Sequence, residues 1–127
     1  MKIAKSILTI SRDETLQNTR TLILQQAGYH VSPARNDEEA ICFIENSNSF
    51  DLVLLCHSVP ESSRMYLVTR MKALYPKLPI LMLYNGYDPT EAKVDGSLHS
   101  LDTPIALLDM IGFLTMKSGD QRLDVAG

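Results

Sequence analysis

The segment that most constrains the fold is the apolar run "FDLVLLC" at residues 50–56. Side chains that alternate along a strand point to opposite faces, so this strand offers apolar groups to both sides of a sheet. Such a run is typical of a central strand in a parallel sheet that helices cover on both faces. The run therefore predicts an α/β protein.

The rest of the chain alternates short apolar runs with longer amphipathic segments. Further strands are predicted at 5–10, 29–34, 78–84 and 97–101, and helices at 12–28, 36–47, 62–76 and 103–116. Residues 88–96 leave room for only about two helical turns before Gly96. This order predicts a doubly wound, five-stranded parallel sheet with helices on both faces, right-handed crossovers and a short fourth helix.

Length and charge narrow the class of protein. The chain has 127 residues, enough for one domain, which we place at residues 1–116 with a flexible polar tail at 117–127. A net charge of -3 without a basic run argues against nucleic acid as the main partner. The apolar stretch near the N-terminus is too short for a membrane span, so we expect a cytoplasmic protein with no membrane association. Cys42 and Cys56 lack CxxC spacing and are expected to be reduced.

In a sheet of this kind a functional site lies beyond the carboxyl ends of the strands. The stretches to search are therefore 10–14, 56–60, 84–87 and 101–104. They contain several polar or reactive side chains, among them the adjacent Cys56, His57 and Ser58.

Five segments in the same order give the chain a resemblance to a known family. They are "ILTISRDE", "AGYHV", "FDLVLLCHSVP", "YPKLPILMLYN" and "LDTP". Together they resemble the receiver domains of bacterial response regulators, the CheY-like family, over roughly residues 4–115. The resemblance implies a flavodoxin-like fold.

The residues that carry out the chemistry of that family are missing here. Its members phosphorylate themselves on an aspartate after the third strand, with an acid pair that helps to hold Mg²⁺. A Ser/Thr and a Lys respond to the phosphoryl group. The corresponding positions in this chain are Ser11 and Arg12 for the acid pair, Cys56 for the aspartate, Tyr84 for the Ser/Thr and Thr103 for the Lys. Ser100 stands in place of an aromatic residue that rotates on activation.

These replacements are consistent with one another. Mg²⁺ requires about six oxygen ligands with compensating carboxylate charge, and Arg12 would bring a positive charge to the metal position. A lysine at Thr103 would lack a counter-charge once the acids have gone. We therefore expect no metal, no cofactor, no Mg²⁺ binding and no enzymatic activity.

Cys56 has two interpretations. It is either a small buried residue that fills the end of the strand, or a redox-active thiolate whose pKa is lowered by a nearby Arg12. His57 should point to the opposite face, so a Cys–His dyad is not expected. Tyr84 either fills the space that the small Ser100 leaves or lies exposed on a loop.

The resemblance implies a stand-alone signalling module in a two-component (phosphorelay) pathway that acts by phosphorylation-independent protein–protein contact. Its partner would be a histidine kinase or another signalling protein, and a homodimer stays open. The alternative function is a thiol redox sensor that uses Cys56. A regulator that accepts phosphate on Ser58, His57 or Ser11 would need a different mechanism.

Overall fold

The computed structural model describes residues 4–46, 49–85, 94–100 and 103–126, with side chains as far as residue 116. The strands are β1 (Ser6–Ile10), β2 (His30–Ala34), β3 (Leu52–Leu55), β4 (Ile80–Tyr84) and β5 (Gly96–His99). The helices are α1 (Glu14–Gln26), α2 (Asp37–Asn46), α3 (Glu61–Leu74) and α4 (Pro104–Ala126). The short helix predicted within 88–96 falls largely outside the described residues.

The five strands form one parallel sheet in the order β2-β1-β3-β4-β5. The prediction of a doubly wound parallel sheet is therefore confirmed. The chain leaves β1 toward one edge to form β2, then returns to the other side of β1 to form β3. This reversal opens a crevice between β1 and β3 at their carboxyl ends, where such folds place their sites.

Strand β3 lies at the centre of the sheet, and all four of its residues are fully buried. Val53 and Leu55 belong to a core cluster with side chains of α2 and α3. Leu52 and Leu54 belong to a second cluster with side chains of α1 and α4. Because burial of one such side chain is worth about 1.5–3 kcal/mol, β3 anchors both layers of helices.

Three helices begin at a polar side chain that accepts a backbone hydrogen bond from the residue three positions later. Asp13, Asn36 and Thr103 accept these bonds at 3.0, 2.8 and 3.1 Å, at the starts of α1, α2 and α4 respectively. Each bond satisfies an N–H group that has no partner inside its helix. For Asp13 and Asn36 this agrees with the helix starts predicted from the sequence.

Helix α4 is longer than the sequence pattern predicted. It continues to Ala126 and so passes residue 116, where we placed the end of the domain. The flexibility of residues 117–127 stays a prediction, since no side chain is described there. Within the described residues, no helix is both long enough and apolar enough to cross a membrane.

Candidate functional site

The carboxyl ends of β1 and β3 bring together three of the five positions singled out in the sequence. Ser11 and Arg12 directly follow β1, and Cys56 directly follows β3. The backbone N–H of Cys56 donates to the carbonyl of Ile10 at 2.9 Å, which holds the two strand ends side by side. Parallel pairing of β1 with β3 is therefore what assembles this site.

Ser58, which the sequence analysis did not rank as a site residue, organises the crevice. Its Oγ accepts hydrogen bonds from the backbone N–H groups of Arg12 and Asp13, at 2.9 and 3.3 Å. It also lies 3.0 Å from Oγ of Ser11. We call Ser11, Ser58 and the backbone of residues 12–13 the hydroxyl cluster.

The protons of the hydroxyl cluster can be assigned from its contacts. Ser58 already accepts two N–H bonds, so its own O–H is the donor to Ser11. The O–H of Ser11 then donates to the carbonyl of Asp13 at 3.2 Å. Each hydroxyl in the cluster is thus both donor and acceptor. The cluster is complete without a ligand.

The hydroxyl cluster offers little to a divalent cation. It contributes neutral hydroxyls, whereas Mg²⁺ needs carboxylates to offset its charge. The nearest acid, Asp13, uses Oδ1 to cap α1. Among the described residues, no group of three or more His, Cys, Asp or Glu side chains could hold a metal ion.

The sequence suggested that Arg12 could lie near Cys56, but its side chain is bound elsewhere. Its Nη2 donates to Oδ1 of Asp37 at 2.9 Å and contacts Oγ of Ser63 at 3.4 Å. The backbone of Arg12 is held by Ser58, and its side chain extends toward the acidic first turn of α2. The interpretation in which Arg12 lowers the pKa of Cys56 is therefore not supported, and the interpretation of Cys56 as a buried filler is favoured.

Cys56 is fully buried, and the guanidinium near its thiol belongs to Arg20 of α1. Burial raises the pKa of the Cys56 thiol, because a thiolate would lose its hydration. The charge of Arg20 and polar contacts with Arg20 and Ser11 oppose this rise without overcoming it. The thiol is therefore protonated at neutral pH. Both Cys42 and Cys56 are free, as predicted.

Arg20 is the residue that the sequence analysis missed. It is only 8% exposed, and its Nη1 atom is buried without a hydrogen-bond partner in the described part of the chain. The signal was present in the sequence, since Arg20 lies four residues from both Leu16 and Leu24. It therefore interrupts the apolar stripe of an amphipathic helix with a positive charge.

His57 is partly buried, and its Nδ1 has no hydrogen-bond partner among the described residues. Burial lowers the pKa of His57, and the positive charge of Arg20 lowers it further. The imidazole is therefore neutral at pH 7. No described hydrogen bond joins it to Cys56, in agreement with the expectation that the two residues form no dyad.

The remaining two positions lie toward the β4–β5 side. Tyr84 ends β4, is partly buried and packs edge-on against His99, with ring centroids 5.3 Å apart. The alternative that it lies exposed on a loop is therefore wrong, while its filling of the space beside Ser100 stays a prediction. Thr103 caps α4, which gives it a structural role at the position where the resemblance has a lysine.

The sequence matches no protein-family model and no curated protein. Solved structures do match. A CheY-like response regulator receiver domain protein from Methanospirillum hungatei JF-1 has a TM-score of 0.85 at 22% identity, covering 94% of this chain and 99% of that one. The chain has the receiver fold.

Two further structures support the same conclusion. A response regulator receiver domain protein from Clostridium thermocellum has a TM-score of 0.81 at 22% identity, covering 91% of this chain and 97% of its own. The signal receiver domain of a signal transduction histidine kinase from Syntrophus aciditrophicus has a TM-score of 0.80 at 22% identity, with 90% and 92% covered. At this level of identity the likeness concerns the fold and leaves the chemistry to be argued from the residues.

Proposed function

We propose that this chain is a receiver-like signalling module that acts by protein–protein contact without being phosphorylated, in a two-component type of pathway. The observation that supports this most directly is the hydroxyl cluster. It fills, with neutral and mutually hydrogen-bonded groups, the crevice where receiver chemistry would require carboxylates and Mg²⁺.

Phosphorylation at the end of β3 would need a nucleophile and a compensating cation. Cys56 is a fully buried thiol with a raised pKa, so the population of its nucleophilic thiolate is small at neutral pH. Ser11 is buried and donates its proton to a backbone carbonyl. Neither side chain can replace an exposed carboxylate that is held beside Mg²⁺.

An output surface is available on α4. Ile105, Phe113 and Met116 are 71%, 57% and 57% exposed, and they lie within about 80° of one another around the helix. Exposed apolar side chains grouped in this way are typical of protein interaction sites. Asp109 lies within the same arc and is exposed, so the surface is apolar with one negative charge.

The absence of phosphorylation can be tested with a small phosphodonor. We expect wild-type protein incubated with acetyl phosphate and Mg²⁺ to gain no phosphoryl group by intact mass. Ser11→Asp/Arg12→Asp/Cys56→Asp should bind Mg²⁺ and gain a phosphoryl group slowly. The matched control, Ser11→Asp/Arg12→Asp, restores the acid pair without the acceptor and should remain unmodified.

A stoichiometric phosphoryl adduct on the wild type would contradict the proposal. Cys56→Asp alone should also remain unmodified, because its carboxylate would lie beside Arg20 rather than beside a metal ion. Phosphorylation of that single variant at a rate similar to the triple variant would show that the hydroxyl cluster does not block the metal position.

The output surface calls for a separate test. We expect a protein captured from native cells by the wild type to be lost with Phe113→Ser and retained with Met65→Ser. Met65 is the matched control, because it is an exposed apolar residue of α3, whose packed face contributes to the opposite core cluster. Equal capture by both variants would show that α4 is not part of the interface.

The alternative, a thiol redox sensor, finds no support in the site. A sensor needs an accessible thiol with a lowered pKa. Cys56 is inaccessible, and the pKa of its thiol is raised.

A further inference from the structure

Arg20 is a buried positive charge that forms no salt bridge with a described residue. Its Nη1 has no hydrogen-bond partner there, and its polar neighbours Cys56 and His57 are both neutral at pH 7. An isolated buried cation is unfavourable by several kcal/mol, so such groups are normally paired with an anion. The described part of the chain therefore provides no counter-charge at this position.

A cavity adjoins Arg20 between α1, the end of β5 and the start of α4. We call it the arginine cavity. Its volume is about 170 Å³, several times the roughly 30 Å³ that one water molecule occupies in the liquid. The polar residues of its described lining are Thr19, Arg20, His99, Ser100 and Thr103, and the rest are apolar. No carboxylate occurs in this described lining, and Arg20 is its only permanently charged member.

Further donors face the same space. Oγ1 of Thr103 accepts the N–H of Ala106 at 3.1 Å, so the hydroxyl proton of Thr103 remains available to donate. Ser100 contributes another hydroxyl to the lining. The first turn of α4 adds the positive end of a helix dipole. The planar fork of a guanidinium matches the oxygens of a phosphate or a carboxylate.

We propose that the arginine cavity binds a small oxyanion, with Arg20 as the principal partner and Thr103 as a second donor. The anion supplies the counter-charge that the described chain lacks at this position. It also connects α1 to the N-terminus of α4, which carries the proposed output surface. This binding is non-covalent and does not depend on the module's failure to be phosphorylated.

Inorganic phosphate is the probe for the test. Amide chemical shifts of the full chain are followed by NMR at constant pH and ionic strength while phosphate replaces chloride. We expect saturable shifts at Ser100, Thr103 and the first turn of α4. Arg20→Met should weaken binding at least tenfold. Arg12→Met is the matched control and should bind like the wild type, because Arg12 pairs with Asp37 outside the cavity.

Three outcomes overturn the proposal. They are the absence of saturable shifts in the wild type, equal binding by Arg20→Met, and binding that occurs only in Asp102→Asn. Asp102 lies outside the described residues and is the carboxylate nearest in sequence to the lining residues Ser100 and Thr103. The third outcome would show that the chain's own carboxylate neutralises Arg20. If Arg20→Met fails to fold, Arg20→Lys and Arg12→Lys decide the matter. Only the first should weaken binding, and equal affinities would overturn the proposal.

Discussion

The hydroxyl cluster and the arginine cavity lie on two sides of Cys56 and differ in how their polar groups are satisfied. In the hydroxyl cluster, Ser11 and Ser58 bond each other and the backbone. In the arginine cavity, Nη1 of Arg20 is buried without a described partner. The comparison shows that polar groups in one crevice can satisfy one another, while a neighbouring space holds a buried charged atom without a described partner.

The two arginines show the same difference in terms of energy. Arg12 remains partly in water, with 39% of its side chain exposed, and its pair with Asp37 is worth less than about 1 kcal/mol. Arg20 is buried away from water and lies beside a cavity lined mostly by apolar side chains. The same side-chain type is therefore nearly neutral for stability at one position and unfavourable at the other, unless an anion is bound.

The largest effect is expected from Arg20→Met measured in phosphate-free buffer. The change removes an uncompensated buried charge and keeps most of the side-chain volume, so the free energy of unfolding should rise by about 1–3 kcal/mol. Urea denaturation measures it. Arg12→Met, the control, should change the free energy by less than about 1 kcal/mol. A fall in stability with Arg20→Met would mean that Arg20 already has a counter-charge.

The next effect concerns the hydroxyl cluster. Ser58→Ala leaves the N–H of Arg12 without its acceptor and removes one of the two acceptors of the Asp13 N–H, so it should lower the free energy of unfolding by about 1–2 kcal/mol. Ser63→Ala removes only a 3.4 Å contact with Arg12 and should cost less than about 0.5 kcal/mol. Equal costs for the two variants would show that the cluster is not the stabilising element described above.

Cys56 lies between the two regions, and the reactivity of its thiol shows whether either region activates it. Cys56→Ala should lower the free energy of unfolding by about 1 kcal/mol through a small cavity. Alkylation at neutral pH should label the exposed Cys42 quickly, while Cys56 reacts only when the protein unfolds. Rapid labelling of Cys56 that is lost in Arg20→Met would instead identify an activated thiolate.

The smallest effect is a dependence on pH. The pKa of His57 is lower in the folded protein than its usual value near 6.5, so between these two values the unfolded chain binds more protons. The contribution of His57 to the free energy of unfolding is therefore fully present above about pH 6.5 and declines as the pH falls below this value. His57→Gln should reduce this acid decline. Denaturation at several pH values from neutral to acidic provides the measurement, and an unchanged decline in His57→Gln would contradict it.

Local patterns predicted much of the fold correctly. The unbroken apolar run of β3 predicted a strand covered on both faces, and its residues do divide between two core clusters. The helix starts predicted at residues 12 and 36 lie close to the observed caps Asp13 and Asn36, because a cap depends on residues only three positions apart. The short helix predicted within 88–96 lies largely outside the described residues and stays a prediction.

The sequence by itself determined the order of strands and helices along the chain and the absence of carboxylates at Ser11, Arg12 and Cys56, because both depend on residue type and on spacing along the chain. Only the tertiary structure decided which arginine meets Cys56. In the family motif that the chain resembles, Arg12 is the arginine expected near Cys56, yet its side chain binds Asp37. The guanidinium beside Cys56 belongs instead to Arg20 of α1. Side-chain partners depend on distances between segments that are remote in sequence, and burial then sets how strongly each charge must be compensated.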